Sequence, residues 1–576
     1  MIVVTRLTQA FPLFDVWNLR DNSATPLSPI AVQFPWRSAY MNSTLLCSTL
    51  ALWLLWLSSL PIAGQVAVLT YHNDNYRSGL NARETILTPS NVNEVQFGKR
   101  LTLPVQGYVY AQPLYVPHVN INGTLHNVVY VATEHDQVYA FDVNSGALLW
   151  QKSFIGTLGN RQIETVSSYD VQCLDTVPEI GITGTPVIDL ATNRLYVVAK
   201  TKEIVNNQTT YYQRLHVLDI RTGQENMSGV FFAAPITAKT PGTGAGSVDG
   251  YLYFNPLLQH QRPGLALANG TVYVAWASHC DNPPYHGYVM GFNANSARPI
   301  GALVTTPDGY NGGVWMSGAG PAVDTAGNVY VPTGNGLFDV NLGGADYGDS
   351  IVRLSFAGPF PAVADYFTPW DQAVLNAYDV DLGSGGILLL PDQPGTPHPH
   401  LLLQIGKEGT IDLVDRDNMG HFNPSGDNQI VQTLPHGAPY GVWGAQAMWN
   451  NTVYVGSFSS PITAFYYDPV AQQIQAAPMS TTPETFGFPG TIPSISASGN
   501  SNGIVWAIES DGFQNGSNAI LRAYDATNLA NELYNSTLNQ ARDQAGPAVK
   551  FAVPTIADGM VFVGAVNEVD VYGPLH

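Results

Sequence analysis

Charge is scarce in this chain, and positive charge is the scarcer kind. Charged side chains make up 11% of the residues, with 23 Lys and Arg against 43 Asp and Glu, a net charge of -20. That excess repels phosphate backbones and anionic lipid heads, and no basic stripe interrupts it, so nucleic acid is not an expected partner. Cysteine is nearly absent, with three residues in 576. None of them opens a Cys-x-x-Cys-His string, which excludes covalent c-type haem. Long apolar runs are missing but for Leu45–Leu60. That run has the length of a signal h-region and falls short of the ~20 apolar residues that span a bilayer.

The small residues Ala63 and Gly64 follow the run, in the manner of a signal-peptidase site. Met41 then reads as the true start, residues 41–64 as a signal peptide and residues 1–40 as a misassigned extension. Retention of the run as an N-terminal anchor is the alternative. Export places the protein in a secreted or periplasmic setting with no stable membrane insertion. Cys47 lies inside the signal, and the remaining pair, Cys173 and Cys280, is a disulfide candidate in that setting.

What the chain has in quantity is turns and aromatics: Gly 55, Pro 40 and 11% Phe, Trp and Tyr. No low-complexity linker divides them, which predicts one large all-β domain over residues 65–576. An internal repeat supports this. Val128–Ala132, Gln137–Asp142 and Ala147–Trp150 alternate apolar residues at period two around a polar step and an Asn144-Ser145-Gly146 turn, the pattern of an antiparallel meander. The same pattern recurs from Arg194, Gly270, Gly327, Leu401, Asn451, Gly503 and Gly559. Eight copies predict eight four-stranded blades of a β-propeller. The last copy lacks an outer strand, and Val95–Val105 is placed to supply it, closing the ring and removing its exposed edges.

Ala140-Phe141-Asp142-Val143-Asn144-Ser145-Gly146-Ala147-Leu148-Leu149-Trp150 is similar to the A-x-D-x-x-T-G-x-x-x-W blade signature of pyrroloquinoline-quinone (PQQ) dependent alcohol dehydrogenases, with Ser145 for the usual Thr. The resemblance makes Asp142 a turn former and Trp150 inter-blade packing. Thr333-Gly334-Asn335-Gly336 resembles the family's TGN loop, which implies Asn335 as a calcium ligand. Trp315 stands where the family's quinone floor lies. Lys407, in Gly406-Lys407-Glu408-Gly409, resembles the lysine that approaches the quinone. Asp346 or Asp349 falls in the segment that resembles the one carrying the catalytic base, and Glu203 where a calcium-binding Glu is expected. The family's Pro-Trp after TGN is Leu337-Phe338 here, and its vicinal cysteines are absent.

Two readings follow. One is a PQQ- and calcium-dependent dehydrogenase of alcohols or sugars, passing electrons to an external acceptor. The other is a non-catalytic propeller of the same shape that binds an extracellular glycan, a cell-wall polymer or a protein. His279-Cys280-Asp281 has too few regularly spaced ligands for a structural zinc site. His72 and His135, each beside a carboxylate, are expected to line a propeller face.

Overall fold

The computed structural model describes residues 66–225, 233–358 and 360–575. The proposed signal and the extension before it lie outside the described residues. Strands dominate, and the helical segments among the described residues are two short α-helices, Gln372–Tyr378 and Gln540–Asp543, with three single 3-10 turns. The strands form eight sheets of four to six strands and one two-stranded ribbon. Most sheets are antiparallel meanders formed from one copy of the repeat. In one, Leu114–Ile121, Thr124–Thr133, Gln137–Asp142 and Leu148–Ser153 pair in sequence, with Val129 opposite both Tyr115 and Phe141. The central strands bury both faces, so they read as Val, Ile, Tyr and Ala runs.

The last sheet is assembled from both ends of the domain. Thr555–Ala557, Met560–Gly564 and Val566–Pro574 follow one another, and Phe97–Tyr108 pairs antiparallel with Val566–Pro574, placing Leu103 opposite Val569. The segment predicted to pair with the C-terminal strand does so, and extends to Tyr108.

Repeat turns and inter-sheet contacts have plain chemical causes. Asp142 Oδ1 accepts from the Asn144 and Ser145 amides and from the Ser145 hydroxyl, fixing the turn. Trp150 Nε1 and the Tyr130 hydroxyl both donate to the Ile220 carbonyl of the following sheet. Gly223 lies beneath Trp150 with φ +66°, and a Cβ there would meet the indole at 2.4 Å. Tyr196 to Ala294 and Tyr454 to Ala526 repeat the sheet-to-sheet hydroxyl contact. Tyrosine thus ends its apolar body in a satisfied donor.

One segment, Val68–Asn81, touches all eight sheets in chain order. Val68 exchanges backbone bonds with Tyr115, Leu69 accepts from Ile188, and the Asn75 side chain donates to Leu267. The carbonyls of Asn75, Tyr76, Ser78 and Gly79 accept from Val323, Leu389, Met448 and Ile495. The Asn81 side chain donates to Ile556 of the eighth sheet. Arg77 lies fully buried at its centre and donates to Pro321, Leu265, Tyr71 and Asp74 carbonyls and to Thr70 Oγ1. Burial lowers its pKa to about 10, the nearby Asp74 opposing. His72, expected on an open face, is wholly buried, with its ring nitrogens at the Arg77 and Pro493 carbonyls.

A buried polar column fills the interior nearby. Glu134 Oε2 accepts from the Gly181 amide and Thr183 Oγ1, and Thr183 Oγ1 meets His260. His260 stacks on His279 at 4.2 Å, and His279 Nε2 lies 2.6 Å from Lys200 Nζ. Burial raises the Glu134 pKa to about 7 and lowers that of Lys200 to about 7.

Two outcomes follow. Arg77→Ala strands several buried carbonyls and should cost at least about 3 kcal/mol in urea unfolding. Arg77→Lys should restore only part, because an ammonium has three donors against five. For Glu134, the folded chain keeps the proton to about pH 7, whereas the unfolded chain loses it near 4.5. In that window the folded state binds more protons, so this group's contribution to stability falls as pH rises. Glu134→Gln lacks the effect. Its stability relative to wild type should climb by about 1.4 kcal/mol per pH unit between those limits. A flat difference would show that Glu134 titrates as an ordinary carboxylate.

Candidate functional site

A cavity of about 220 Å³ opens among Trp315, Lys407, Asp381, Asp281, Cys280 and Arg262. Each comes from a loop that leaves or enters a strand. Trp315 precedes strand Ala322–Val323, and its neighbour Met316 donates its amide to the Gly383 carbonyl. Asn335 follows strand Val329–Pro332, and Lys407 follows Leu401–Ile405. Asp379 ends helix Gln372–Tyr378 in the left-handed region, and Asp381 precedes the turn Leu382–Ser384.

These loops meet through a compact polar constellation. Asp381 Oδ1 accepts the Asn335 amide at 2.7 Å, and Asp381 Oδ2 lies 2.6 Å from Lys407 Nζ. Lys407 also pairs with Asp379 Oδ1 at 2.8 Å, the same oxygen that accepts from Asn335 Nδ2. Asn335 Oδ1 is buried and has no hydrogen-bond partner among the described residues, and the same holds for Trp315 Nε1. A Cβ on Gly334 would sit 2.2 Å from Asp381 Oδ1 and 2.7 Å from the Trp315 ring, so only glycine lets the Asn335 loop pass between them.

Charge is unevenly shared here. Burial works against the Lys407 ammonium, but Asp381 and Asp379 prevail and hold its pKa above the usual lysine value. Burial, reinforced by the Asp381 and Asp379 charges, raises the Asp281 pKa, although the Tyr285 hydroxyl donates to it. Across the cavity Arg262 and Lys550 both pair with Asp175, and Arg262 lies 4.3 Å from the Phe551 ring centre. Cys280 is bonded to Cys173 with Cα atoms 5.6 Å apart, so the two cysteines predicted to remain after export do pair. The bond ties the Trp315 cavity to a loop 107 residues earlier in the chain.

Four of the residues singled out from the sequence are placed as follows. Trp315 and Lys407 line the cavity, and Asn335 bonds to Asp381, which lines it. Asp349 is buried and accepts the Leu382 amide at 3.2 Å; burial, and next the Asp381 charge, raise its pKa well above the usual range.

The other two lie apart. Asp346 Oδ1 accepts the Asp308 and Gly309 amides, and its burial raises the pKa to about 6. It fixes a loop and does not line the cavity. Glu203 sits on the long strand Arg194–Val205, with its oxygens paired to Arg161 and Arg214 at 2.8 and 2.6 Å, in a separate cavity of about 550 Å³. The structure does not bring it to Asn335, because the hairpin of two twelve-residue strands, Arg194–Val205 and Gln208–Asp219, carries it elsewhere. Asp379 and Asp381 were not legible as site residues. Their only local signal is an Asp-x-Asp between an apolar helix and the next repeat.

Among the described residues no three His, Cys, Asp or Glu side chains are grouped to hold a metal ion. The free Asn335 oxygen beside Asp379 and Asp381 nevertheless fits a hard cation, which takes carboxylate and amide oxygens together. The indole of Trp315 with the cations Lys407 and Arg262 fits a flat, anionic ring system.

No protein-family profile matches the chain, and no curated protein matches it. Solved structures do. The quinohemoprotein alcohol dehydrogenase from Comamonas testosteroni is 15% identical, with 89% of this chain and 81% of that one covered and a TM-score of 0.57. The quinohemoprotein alcohol dehydrogenase ADHIIG from Pseudomonas putida HK5 is 14% identical, with coverages of 89% and 80% and a TM-score of 0.56. A europium-containing methanol dehydrogenase is 12% identical, with coverages of 90% and 99% and a TM-score of 0.51. At these identities the likeness is one of fold, and the fold is the β-propeller type these dehydrogenases share.

Proposed function

We propose that the eight sheets are blades of one ring over residues 65–576, closed by the pairing of Phe97–Tyr108 with Val566–Pro574, and that the Trp315 cavity oxidises alcohols or sugars with PQQ and calcium. The observation that carries this reading is the meeting of Trp315, Asp381 and Lys407 around one cavity, with Asn335 bonded to Asp381, from loops of consecutive sheets. Asn335 Oδ1 and the Asp379 carboxylate would hold the cation, and Trp315 would support the ring, with Lys407 and Arg262 meeting its negative edge. When bound, PQQ supplies the hydride acceptor and calcium a Lewis acid.

The chain's own groups do the rest. Asp381, rather than Asp346 or Asp349, takes the substrate hydroxyl proton, because it lines the cavity. Lys407 and the Asn335 backbone amide fix the orientation of its two oxygens. Asp349 braces the turn Leu382–Ser384 from behind by accepting the Leu382 amide. With no Cys-x-x-Cys-His string in the sequence, electrons would leave to a separate acceptor. Among the described residues no helix is long and apolar enough to cross a membrane, and export through the 41–64 segment completes the proposal.

The test uses the chain from Gln65 with PQQ and calcium chloride. A bound-quinone absorbance and dye reduction on an alcohol and sugar panel are expected. Trp315→Ala and Asn335→Ala should each abolish quinone binding. Asp381→Asn should retain the quinone and lose about 10²–10⁴-fold in turnover, the usual worth of a positioned base. No bound quinone at micromolar cofactor removes the dehydrogenase reading, and full turnover in Asp381→Asn removes the base.

A further inference from the structure

A second cavity, of about 180 Å³, lies on the other side of the turn that carries Lys407. Four carboxylates line it: Asp371, Glu408, Asp412 and Asp427. None of them forms an ion pair with a cationic side chain among the described residues. Asp412 projects from strand Ile411–Asp415, is 2% exposed, and its Oδ1 has no hydrogen-bond partner among the described residues. Asp427 accepts the Trp370 amide at 2.9 Å, and Glu408 accepts the Thr410 hydroxyl. Carboxylates buried together without a counter-ion are costly unless they hold protons or gain a cation. Burial and mutual repulsion indeed raise Asp412 to about 8 and Asp427 to about 6, and push Asp371 up as well.

The remaining walls decide which cation suits. Trp370, Leu375, Val380 and Leu382 give the cavity an apolar side, with Trp370 about half exposed at 53%. A bare metal ion wants a tight shell of oxygens, whereas these carboxylates are too dispersed for three to share one ion. A protonated amine with a short carbon body satisfies both halves. Its ammonium needs no such convergence, because it can donate to the free Asp412 Oδ1 alone; its methylenes cover the aliphatic wall, and an indole attracts cations. At about 30 Å³ per water, the volume holds roughly six small heavy groups.

We propose that this cavity is a binding site for a small aliphatic ammonium ion, separate from the Trp315 cavity and independent of the function proposed for it. The test is calorimetric titration of the purified chain, without PQQ, with n-butylamine hydrochloride, 1-butanol as its neutral counterpart, and calcium chloride as a competitor. Butylamine should bind and 1-butanol should not. Asp412→Asn should weaken the amine at least tenfold, and Asn335→Ala should leave it unchanged. Equal binding of amine and alcohol overturns the proposal. So does undiminished amine binding in Asp412→Asn, or displacement of the amine by equimolar calcium, which would mark a metal site. Should Asp412→Asn fail to fold, Trp370→Ala at the exposed rim serves instead: a several-fold loss supports the site, and no loss overturns it.

Discussion

The Arg77 guanidinium is the point on which this architecture turns. A sheet built from a single repeat leaves its first strand with unpaired backbone groups, and eight such edges converge around Val68–Asn81. The segment satisfies them one by one, and it can follow that path only if its own curvature is fixed. Arg77 fixes it by filling the inside of the bend with donors aimed at carbonyls from the segment itself and from two sheet-entry loops. A neutral side chain of similar size offers no such set of donors. A buried charge without an acid partner is unusual, and here carbonyl dipoles take the place of a carboxylate.

The same segment reaches the candidate site. The Tyr71 hydroxyl donates to the Gly318 carbonyl, two residues after Met316 and three after Trp315. Gly318 in turn donates its amide to Trp443, another wall residue of the Trp315 cavity. The indole proposed as a floor therefore rests on a chain of backbone bonds that ends at the buried arginine. The Cys173–Cys280 bond braces the opposite wall; in the chain-entropy picture, closing so long a loop is worth about 4–5 kcal/mol. Loops that present polar groups to a cavity gain precision from rigid supports of this kind.

Features encoded by near neighbours were legible in the sequence. Period-two alternation and the Asp142–Gly146 turn are local, so the repeat and its meanders could be read directly, and the pairing of the two ends followed from the outer strand that the last copy lacks. Trp150 was legible for the same reason, since its partner is the corresponding turn of the next repeat. The polar site was legible in part. Asn335 and Lys407 were visible because the strings around them resemble motifs of the PQQ-dependent dehydrogenases, but the carboxylates that join them were not. Asp379 and Asp381 reach Asn335 only because helix Gln372–Tyr378 stops where it does and its last turn reverses. Glu203 misled because strand length does not show in a motif: Arg194–Val205 runs far past the residue at which the other repeats turn. The depth of His72, Lys200 and Glu134 was hidden too, since polar residues read as surface unless their partners are known.

The acidity of the chain takes on a structural meaning at one wall. Lys407 and Glu408 are consecutive, yet Lys407 faces the Trp315 cavity and Glu408 faces the cavity behind it. Asp381 and Leu382 divide in the same way. On one side a single lysine is shared by two carboxylates, and on the other four carboxylates share none. The alternation of side chains gives each position of the turn a single cavity, so Lys407 cannot serve the second one, and the position that faces it carries Glu408. On the reading proposed above, the cation for the second cavity comes from outside the chain. A protein with 43 carboxylates and 23 Lys and Arg has acidic groups to spare for such a site.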